Sequence, residues 1–230
     1  KKIAKVISLI GDEDGAEIIG LCEIENEKVL KDLINDPLLK KYGYKYVHYD
    51  SPDERGIDVA LLYKEPIFKV TSSKNYEAKI SSNDKTRDVL LVSGKLEGEE
   101  VHFIVNHWSS RGEGEKESEP KRMVSALVAR KIVDELEAKN PNAKVLLMGD
   151  FNDEPFNKSI TKGLQAIDNP SIKGKQLFNT LASLEKQGKG TYNYKGDWNM
   201  LDQIIITKGF FVANNKAKGW RYLDGAIYDA

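Results

Sequence analysis

Residues 145–153, VLLMGDFND, place three oxygen-bearing side chains directly after a wholly apolar strand. The aliphatic run of residues 145–148 is typical of a strand that is buried on both faces. Gly149 ends the run, and Asp150 and Asn152 point to the same side of an extended backbone because they are two residues apart. Ligands of α/β proteins bind at the carboxyl ends of such strands. The stretch therefore predicts a polar site at a sheet edge, with capping of local backbone groups as the alternative.

Residues 17–25 form another apolar run, which ends in Glu23 and Glu25 on one face. Two carboxylates this close are costly unless a cation or a basic group lies beside them. Mg²⁺ binds carboxylate oxygens and keeps several of its waters, so one or two such groups are enough. The run indicates a cation ligand. The alternative is a solvated strand end that leads into a helix capped by Asn26.

A third apolar run, residues 101–107, finishes with Asn106 and His107, and Arg111 follows four residues after the histidine. A histidine here can donate a proton to a phosphoryl oxygen, and the planar arginine can hold an anionic oxygen. A lone histidine at a strand end is also often structural. Arg55, just before another strand, is a candidate for the same pocket or for a surface turn.

Asp202 comes just before the apolar strand of residues 204–207, where an unpaired carboxylate would be expensive. We therefore expect Asp202 to have a partner, such as a histidine that it orients. His48 and His102 are interpreted as structural. Polar groups thus stand at the ends of four apolar strands, which favours one shared site over four separate loops.

Composition restricts the classes of function. The chain has 35 basic and 36 acidic residues, so its overall field would not attract nucleic acid or anionic lipid, and phosphate recognition must come from a local site. The single cysteine, Cys22, excludes an intrachain disulfide framework. No apolar run approaches the roughly 20 residues that a membrane span requires. The chain begins with Lys-Lys, so the compartment stays open, with export expected if a signal peptide was removed.

The predicted elements favour a mixed-sheet α/β fold. The pattern predicts a hairpin of residues 89–96 and 101–107, and it predicts a long helix over residues 120–138 with Pro120 in its first turn. Strands and helices alternate irregularly along the chain, which argues against a strictly parallel doubly wound sheet. One domain is the simplest interpretation.

Read in order, these segments resemble the endonuclease/exonuclease/phosphatase superfamily, which has the deoxyribonuclease-I-like fold. The SEPKR run that follows the third segment resembles a bacterial branch of it. The resemblance implies two mixed β-sheets packed as a sandwich with helices on the outer faces, in four layers. The matching stretches are residues 20–26 (GLCEIEN), 55–63 (RGIDVALLY), 106–111 (NHWSSR), 149–153 (GDFND) and 198–203 (WNMLDQ).

The resemblance implies in-line attack of water on phosphorus, with Glu23 as the ligand of Mg²⁺, or of Mn²⁺ or Ca²⁺. It implies that Asp150 orients or deprotonates the water and that Asn152 binds the phosphoryl group. His107 would stabilise or protonate the transition state, and Asp202 would orient a C-terminal histidine. The residues implied to bind the substrate phosphate are Arg55, Arg111 and Asn106.

The chain departs from the family pattern at both ends. The family begins with a strand that carries an asparagine, and it ends in a Ser-Asp-His strand, whereas residues 222–230 contain no histidine. We therefore predict a single domain, residues 1–230, that lacks its N- and C-terminal strands. The alternative is a natural variant that has lost its terminal histidine and is a weak enzyme.

The expected function is a Mg²⁺-dependent phosphodiesterase, most simply a nuclease, that acts as a monomer on nucleic acid. One alternative is a phosphomonoesterase for a small phosphorylated molecule or a lipid head group. Another is a catalytically dead binding module with the same fold.

Overall fold

The computed structural model describes residues 2–11, 13–80, 85–212 and 219–228. The predicted domain of residues 1–230 extends past these ranges at both ends. Lys1, Ala230 and residue 229 of the C-terminal stretch lie outside the described residues. The helices are α1 (Lys2–Ile7), α2 (Glu27–Ile34), α3 (Glu115–Lys139) and α4 (Ala182–Glu185). The strands are β1 (Ile18–Ile24), β2 (Tyr44–His48), β3 (Asp58–Lys64), β4 (Phe68–Tyr76), β5 (Val89–Leu96), β6 (Glu99–His107), β7 (Lys144–Asp150), β8 (Ala166–Ile167), β9 (Leu177–Asn179), β10 (Tyr192–Tyr194), β11 (Asp197–Asn199) and β12 (Asp202–Ile206).

Two sheets and one separate hairpin make up the β structure of the described residues. The larger sheet has seven strands in the order β4-β5-β6-β7-β12-β9-β8, and it is mixed, since β6 and β7 are parallel whereas β5 and β6 are antiparallel. The smaller sheet has the order β1-β3-β2 and is antiparallel. Strands β10 and β11 form the hairpin. The predicted α/β fold class is confirmed.

Three apolar clusters hold the layers together. Strand β3 shows the principle, because Val59 and Leu61 face the large sheet whereas Ala60 and Leu62 face the helices α1 and α2. Strand β7 does the same in the large sheet, with Leu146 towards the small sheet and its neighbours towards α3. The order of layers is helices, small sheet, large sheet, helix. Burial on both faces explains why the central strands are apolar at consecutive positions.

The two longest predicted helices have different outcomes. Helix α2 begins where the sequence predicts, because the side chain of Asn26 accepts a hydrogen bond from the backbone N–H of Val29. Helix α3 begins five residues before Pro120, so the proline lies in its second turn and not in its first. The guanidinium of Arg122 donates to the carbonyl of Glu115 at 2.6 Å and anchors this earlier turn.

The sequence did not predict strand β4 or the β10–β11 hairpin, because their exposed polar residues hide the strand pattern. Among the described helices, none combines the length and the apolar character needed to cross a membrane.

Candidate active site

Three predicted site residues form a row across neighbouring strands of the large sheet. His107 at the end of β6 pairs with Asp150 at the end of β7, and Asp150 pairs on its other side with Asp202 at the start of β12. Paired residues on adjacent strands lie about 4.5–5.5 Å apart. The sheet register alone therefore brings these three residues to one edge.

Gly149 allows β6 and β7 to approach closely just before this row. Its φ is +126°, and a Cβ at this position would lie 2.0 Å from the carbonyl oxygen of Asn106. No other residue fits that space or readily adopts that backbone conformation. The glycine of the GDFND stretch is therefore required by the contact between the strands that carry His107 and Asp150.

Glu23 lies at the same edge, on the small sheet. It stands at a bulge near the end of β1, has a φ of +60°, and is exposed. Burial is the main cause that raises the pKa of Asp150 to about 6, and the negative charges of Asp202 and Glu23 contribute to this rise. The carboxylates of Glu23 and Asp150 therefore lie close enough for their charges to interact across the space between the two sheet edges, termed the cleft.

His107 is buried and uncharged. Its exposed fraction is 4 %, and its Nε2 lies 3.7 Å from Oδ2 of Asp150. Burial, together with the positive charges of Arg87 and Arg55, lowers the pKa of His107 to about 3. The imidazole is therefore neutral at neutral pH, and it can donate one N–H but cannot act as a cation.

Asn152 is held in a fixed orientation beside Asp150. Its φ is +48°, and its backbone N–H donates to Oδ1 of Asp150 at 2.8 Å. Its side-chain Nδ2 donates to the carbonyl of Trp108 at 3.0 Å. One amide hydrogen and the amide oxygen have no partner in the described part of the chain. These atoms are available to a ligand at the cleft.

Arg111 contacts the protein itself more than the cleft. Its Nε donates to the carbonyl of Asn152 at 2.8 Å, and its Nη2 lies 3.4 Å from a carboxylate oxygen of Asp153. Asp153 is fully buried, and it also pairs with the buried Arg122 of α3 at 2.7 Å. The guanidinium of Arg111 therefore fixes the backbone of the GDFND loop.

The other two residues with a predicted phosphate contact differ in exposure. Arg55 is half exposed, and its charge acts on His107. Asn106 is fully buried, and its amide donates to the carbonyl of Ile104 and accepts from the indole N–H of Trp108. Asn106 therefore presents no atom to the cleft in this structure.

Asp202 is exposed and not buried as the sequence predicts, and its carboxylate has no hydrogen-bond partner within the described ranges. Its backbone N–H donates to Oγ1 of Thr191. Each of the three histidines of the chain lies beside a residue other than Asp202. His48 bonds to Asp58 at 3.0 Å, His102 bonds to Ser93 at 2.8 Å, and His107 lies beside Asp150. The role of Asp202 in orienting a histidine stays a prediction.

The sequence interpretation missed Arg87 and Asp53. Arg87 donates from Nε to the carbonyl of His107 at 3.1 Å, and another of its nitrogens donates to the carbonyl of Trp108. Its Nη1 donates to Asp53 at 2.9 Å, inside the loop that carries Arg55. Arg87 precedes an apolar strand, as Arg55 does. That position is the signal by which Arg87 could have been found, because the start of β5 meets the end of β6 at the site edge.

His48, Asp50 and Asp58 form a separate group near this edge, with ligand atoms that lie within 4.8 Å of one another. Both oxygens of Asp58 are already used, one by His48 and the other by the backbone N–H of Ser51 at 2.8 Å. The buried His48–Asp58 pair closes the base of the loop of residues 49–57. This arrangement agrees with the structural role predicted for His48.

Residues 1–230 match the family model described as the endonuclease/exonuclease/phosphatase family. The chain belongs to this family. Its members are phosphoesterases, which are hydrolases that generally depend on a divalent metal. No curated protein sequence matches the chain.

Solved structures of this family share the fold. Truncated TDP2 from Caenorhabditis elegans has a TM-score of 0.63 at 19% identity, covering 90% of this chain and 76% of that one. A mannosyl-6-phosphatase from Bacteroides thetaiotaomicron has a TM-score of 0.62 at 19% identity, covering 90% and 75%. TDP2 from D. rerio, complexed with a single-strand DNA product, has a TM-score of 0.58 at 14% identity, covering 86% and 73%.

The residues at the cleft fit the divalent cation that the family implies. Glu23, Asp150 and Asp202 contribute carboxylates, and repulsion among them helps to raise the pKa of Asp150 to about 6. In the described part of the chain, the carboxylates of Glu23 and Asp202 are not neutralised by an ion pair. Mg²⁺ favours such oxygen donors, and it would relieve this repulsion.

Proposed function

We propose that this chain is a Mg²⁺-dependent phosphodiesterase that acts on nucleic acid. The observation that supports this proposal is the row of His107, Asp150 and Asp202 at one sheet edge, with Glu23 facing it from the other sheet. The row combines a base, a neutral hydrogen-bond donor and a concentration of negative charge. Such a set suits hydrolysis of a phosphoester by water.

In this proposal Asp150 takes a proton from the attacking water. A carboxylate with a pKa of about 6 is ionised at neutral pH and is a stronger base than an ordinary aspartate. The neutral His107 donates its N–H to a phosphoryl oxygen, where negative charge develops in the transition state. Both groups are held by strand ends, so their positions do not depend on a mobile loop.

Arg55 and the free amide atoms of Asn152 would bind the phosphate, and Arg111 and Asn106 would support the loop and strand beneath them. Glu23 would hold the Mg²⁺. The chemistry that the bound cation supplies is neutralisation of the negative charge that builds up on the phosphoryl and leaving oxygens.

The test is hydrolysis of DNA, RNA and bis-nitrophenyl phosphate, with and without Mg²⁺, by the wild type and by Asp150→Asn. Asp32→Asn is the matched control, because it removes an exposed carboxylate from helix α2. We expect metal-dependent turnover that Asp150→Asn abolishes and Asp32→Asn retains. Equal activity of the wild type and Asp150→Asn on every substrate would remove the proposal.

A small phosphorylated molecule is the second candidate substrate. The near-zero net charge favours it, since affinity for nucleic acid rests largely on neutralisation of phosphates. A neighbour in fold is a mannosyl-6-phosphatase, whereas another was solved with single-strand DNA. The dependence of KM on salt separates the candidates, because a steep slope indicates a polyanion and a flat one a small monoester.

A further inference from the structure

Three aromatic side chains are exposed on the β10–β11 hairpin. The exposed fractions are 51 % for Tyr192, 54 % for Tyr194 and 55 % for Trp198. Tyr192 and Tyr194 are two residues apart on one strand, so they share a face of the hairpin. Trp198 pairs with Asn193, and it therefore lies on the opposite face.

The two tyrosine rings are arranged as a pair of parallel walls. Their centroids are 6.5 Å apart and their planes differ by 15°. This centroid distance is an upper limit on the gap between the ring faces, and it is slightly less than twice the rise of about 3.4 Å between successive bases of a DNA strand, so a base enters after a small outward rotation of one ring. The ammonium of Lys195, at the tip of the hairpin, lies 5.1 Å from the ring centre of Tyr194. A flat ring could stack on the tyrosines, and an anion next to that ring could pair with the ammonium of Lys195.

The hairpin is attached directly to the candidate active site. Oγ1 of Thr191 accepts the backbone N–H of Asp202 at 3.0 Å. Asn199, which pairs with Tyr192 and shares its face, accepts at 3.5 Å from the guanidinium of Arg111. The tyrosine face is thus the face that turns towards the GDFND loop.

We propose that Tyr192 and Tyr194 stack an unpaired base of the nucleic-acid strand whose phosphate is cleaved at the adjacent site. This inference rests on the proposed function and specifies a single-stranded substrate. Bases in a duplex are already covered by their neighbours, whereas an unpaired base exposes its face to an aromatic side chain. A puckered sugar ring is thicker than a base and suits a gap between two parallel rings less well.

The experiment measures binding and turnover of an eight-residue oligothymidylate in Mg²⁺, by fluorescence anisotropy and by product formation. An abasic strand of the same length supplies the same phosphates without the bases. The variants are Tyr192→Ala and Tyr194→Ala, with Tyr194→Phe to preserve the ring. Trp198→Ala is the matched control, because it removes an equally exposed aromatic from the other face of the hairpin.

We expect each tyrosine-to-alanine change to weaken binding of the oligothymidylate about 5-fold or more, as for other base–aromatic stacks. Tyr194→Phe and Trp198→Ala should stay within about twofold of the wild type, and the wild type should bind the abasic strand about 5-fold or more weakly. Equal binding of the two strands, or an equal loss in Trp198→Ala, overturns the inference. So does tyrosine-dependent binding of mannose 6-phosphate without binding of the oligonucleotide.

Failure of the proposed function gives a different result. If the wild type hydrolyses bis-nitrophenyl phosphate with Mg²⁺ but the tyrosine variants bind the oligonucleotide normally, the inference fails and the phosphodiesterase stands. If no phosphoester is hydrolysed, the phosphodiesterase fails, and the anisotropy measurement still reports whether the tyrosines bind a base.

Discussion

The guanidinium of Arg87 donates from Nε to the carbonyl oxygen of His107 at 3.1 Å, and it donates from a second nitrogen to the carbonyl of Trp108. Its third contact is the buried ion pair with Asp53 at 2.9 Å. One side chain therefore joins the strand end that carries His107 to the loop that carries Arg55. Arg87 is a positioning residue for both.

We expect Arg87→Lys to lower kcat on the order of 10- to 100-fold with a smaller change in KM, because misplacement of a catalytic group by about 1 Å has effects of that size. A lysine keeps the charge but cannot make three directed bonds in a plane. The measurement is steady-state kinetics with the oligonucleotide. Arg130→Lys is the control, since Arg130 is equally buried and pairs with Asp134 at 3.0 Å on helix α3. An equal fall of kcat in Arg130→Lys would show that loss of a buried arginine lowers kcat through general destabilisation, and that Arg87 does not position the site.

Asp150→Asn should stabilise the metal-free protein above pH 6. The pKa of Asp150 is about 6 in the folded protein and 3.8 ordinarily. Between pH 3.8 and pH 6 the folded state therefore binds a proton at Asp150 that the unfolded state has lost. The destabilisation from ionised Asp150 is thus absent below pH 3.8 and complete above pH 6. We expect a gain in the free energy of unfolding of about 1–3 kcal/mol at pH 7.5.

Urea denaturation at pH 7.5 and pH 4 in the presence of a chelator measures this effect. Asp32→Asn, at an exposed position of helix α2, removes the same charge far from the cleft and should leave the pH dependence unchanged. A gain for Asp150→Asn that persists undiminished at pH 4 would contradict the assignment.

Glu23→Gln should abolish stabilisation of the protein by Mg²⁺. A ligand that binds only the folded state stabilises it by about 2.7 kcal/mol at one hundred times its Kd. We therefore expect Mg²⁺ to raise the Tm of the wild type and to have little effect on Glu23→Gln. Glu25→Gln is the control, because it removes an exposed charge two residues away. Retention of the Mg²⁺-dependent shift in Glu23→Gln would exclude Glu23 as the ligand.

Arg55→Ala and Arg111→Ala should impair the protein differently. Arg55 is half exposed and is proposed to bind the phosphate, so Arg55→Ala should raise KM about tenfold. Its charge also lowers the pKa of His107, so the same change should raise that pKa from about 3. NMR titration of the three histidine rings measures that pKa.

Arg111 instead bonds to the backbone of Asn152, so Arg111→Ala should lower kcat and the free energy of unfolding, by about 1–3 kcal/mol for the lost bonds. A change confined to KM in Arg111→Ala would favour direct contact with phosphate over support of the loop.

The sequence predicted the parts of the site that strand ends determine. Apolar runs that stop at Glu23, His107 and Asp150 identify positions at a sheet edge, and the observed register places the last two side by side. Arg87 was missed although the hairpin of β5 and β6 was predicted, and its antiparallel pairing places the start of β5 beside the end of β6. The hairpin pattern gives the pairing of the strands, but it does not show that the side chain of Arg87 bonds to the carbonyls of His107 and Trp108.

The sequence also could not separate Arg55 from Arg111. Arg55 precedes a strand near the site and Arg111 follows one, and both side chains carry the same planar guanidinium with its N–H donors. Their difference lies in tertiary neighbours, since Arg111 is surrounded by acceptors from the loop and from helix α3, whereas the ion-pair partner of Arg55 among the described residues is Asp53. Burial of Asn106 has the same origin, because the indole of Trp108 covers its amide.

His107, Asp150 and Asp202 occupy paired positions on three neighbouring strands of the sheet. An insertion or deletion in one of these strands should therefore abolish the site completely and not weaken it by degrees. A slip of β7 by a single position would put Gly149 or Phe151 between the two partners and turn the carboxylate away. A graded series of partly active length variants in β6, β7 or β12 is therefore not expected. Laboratory evolution of this protein should accept changes of side chain along these strands far more readily than changes in their length.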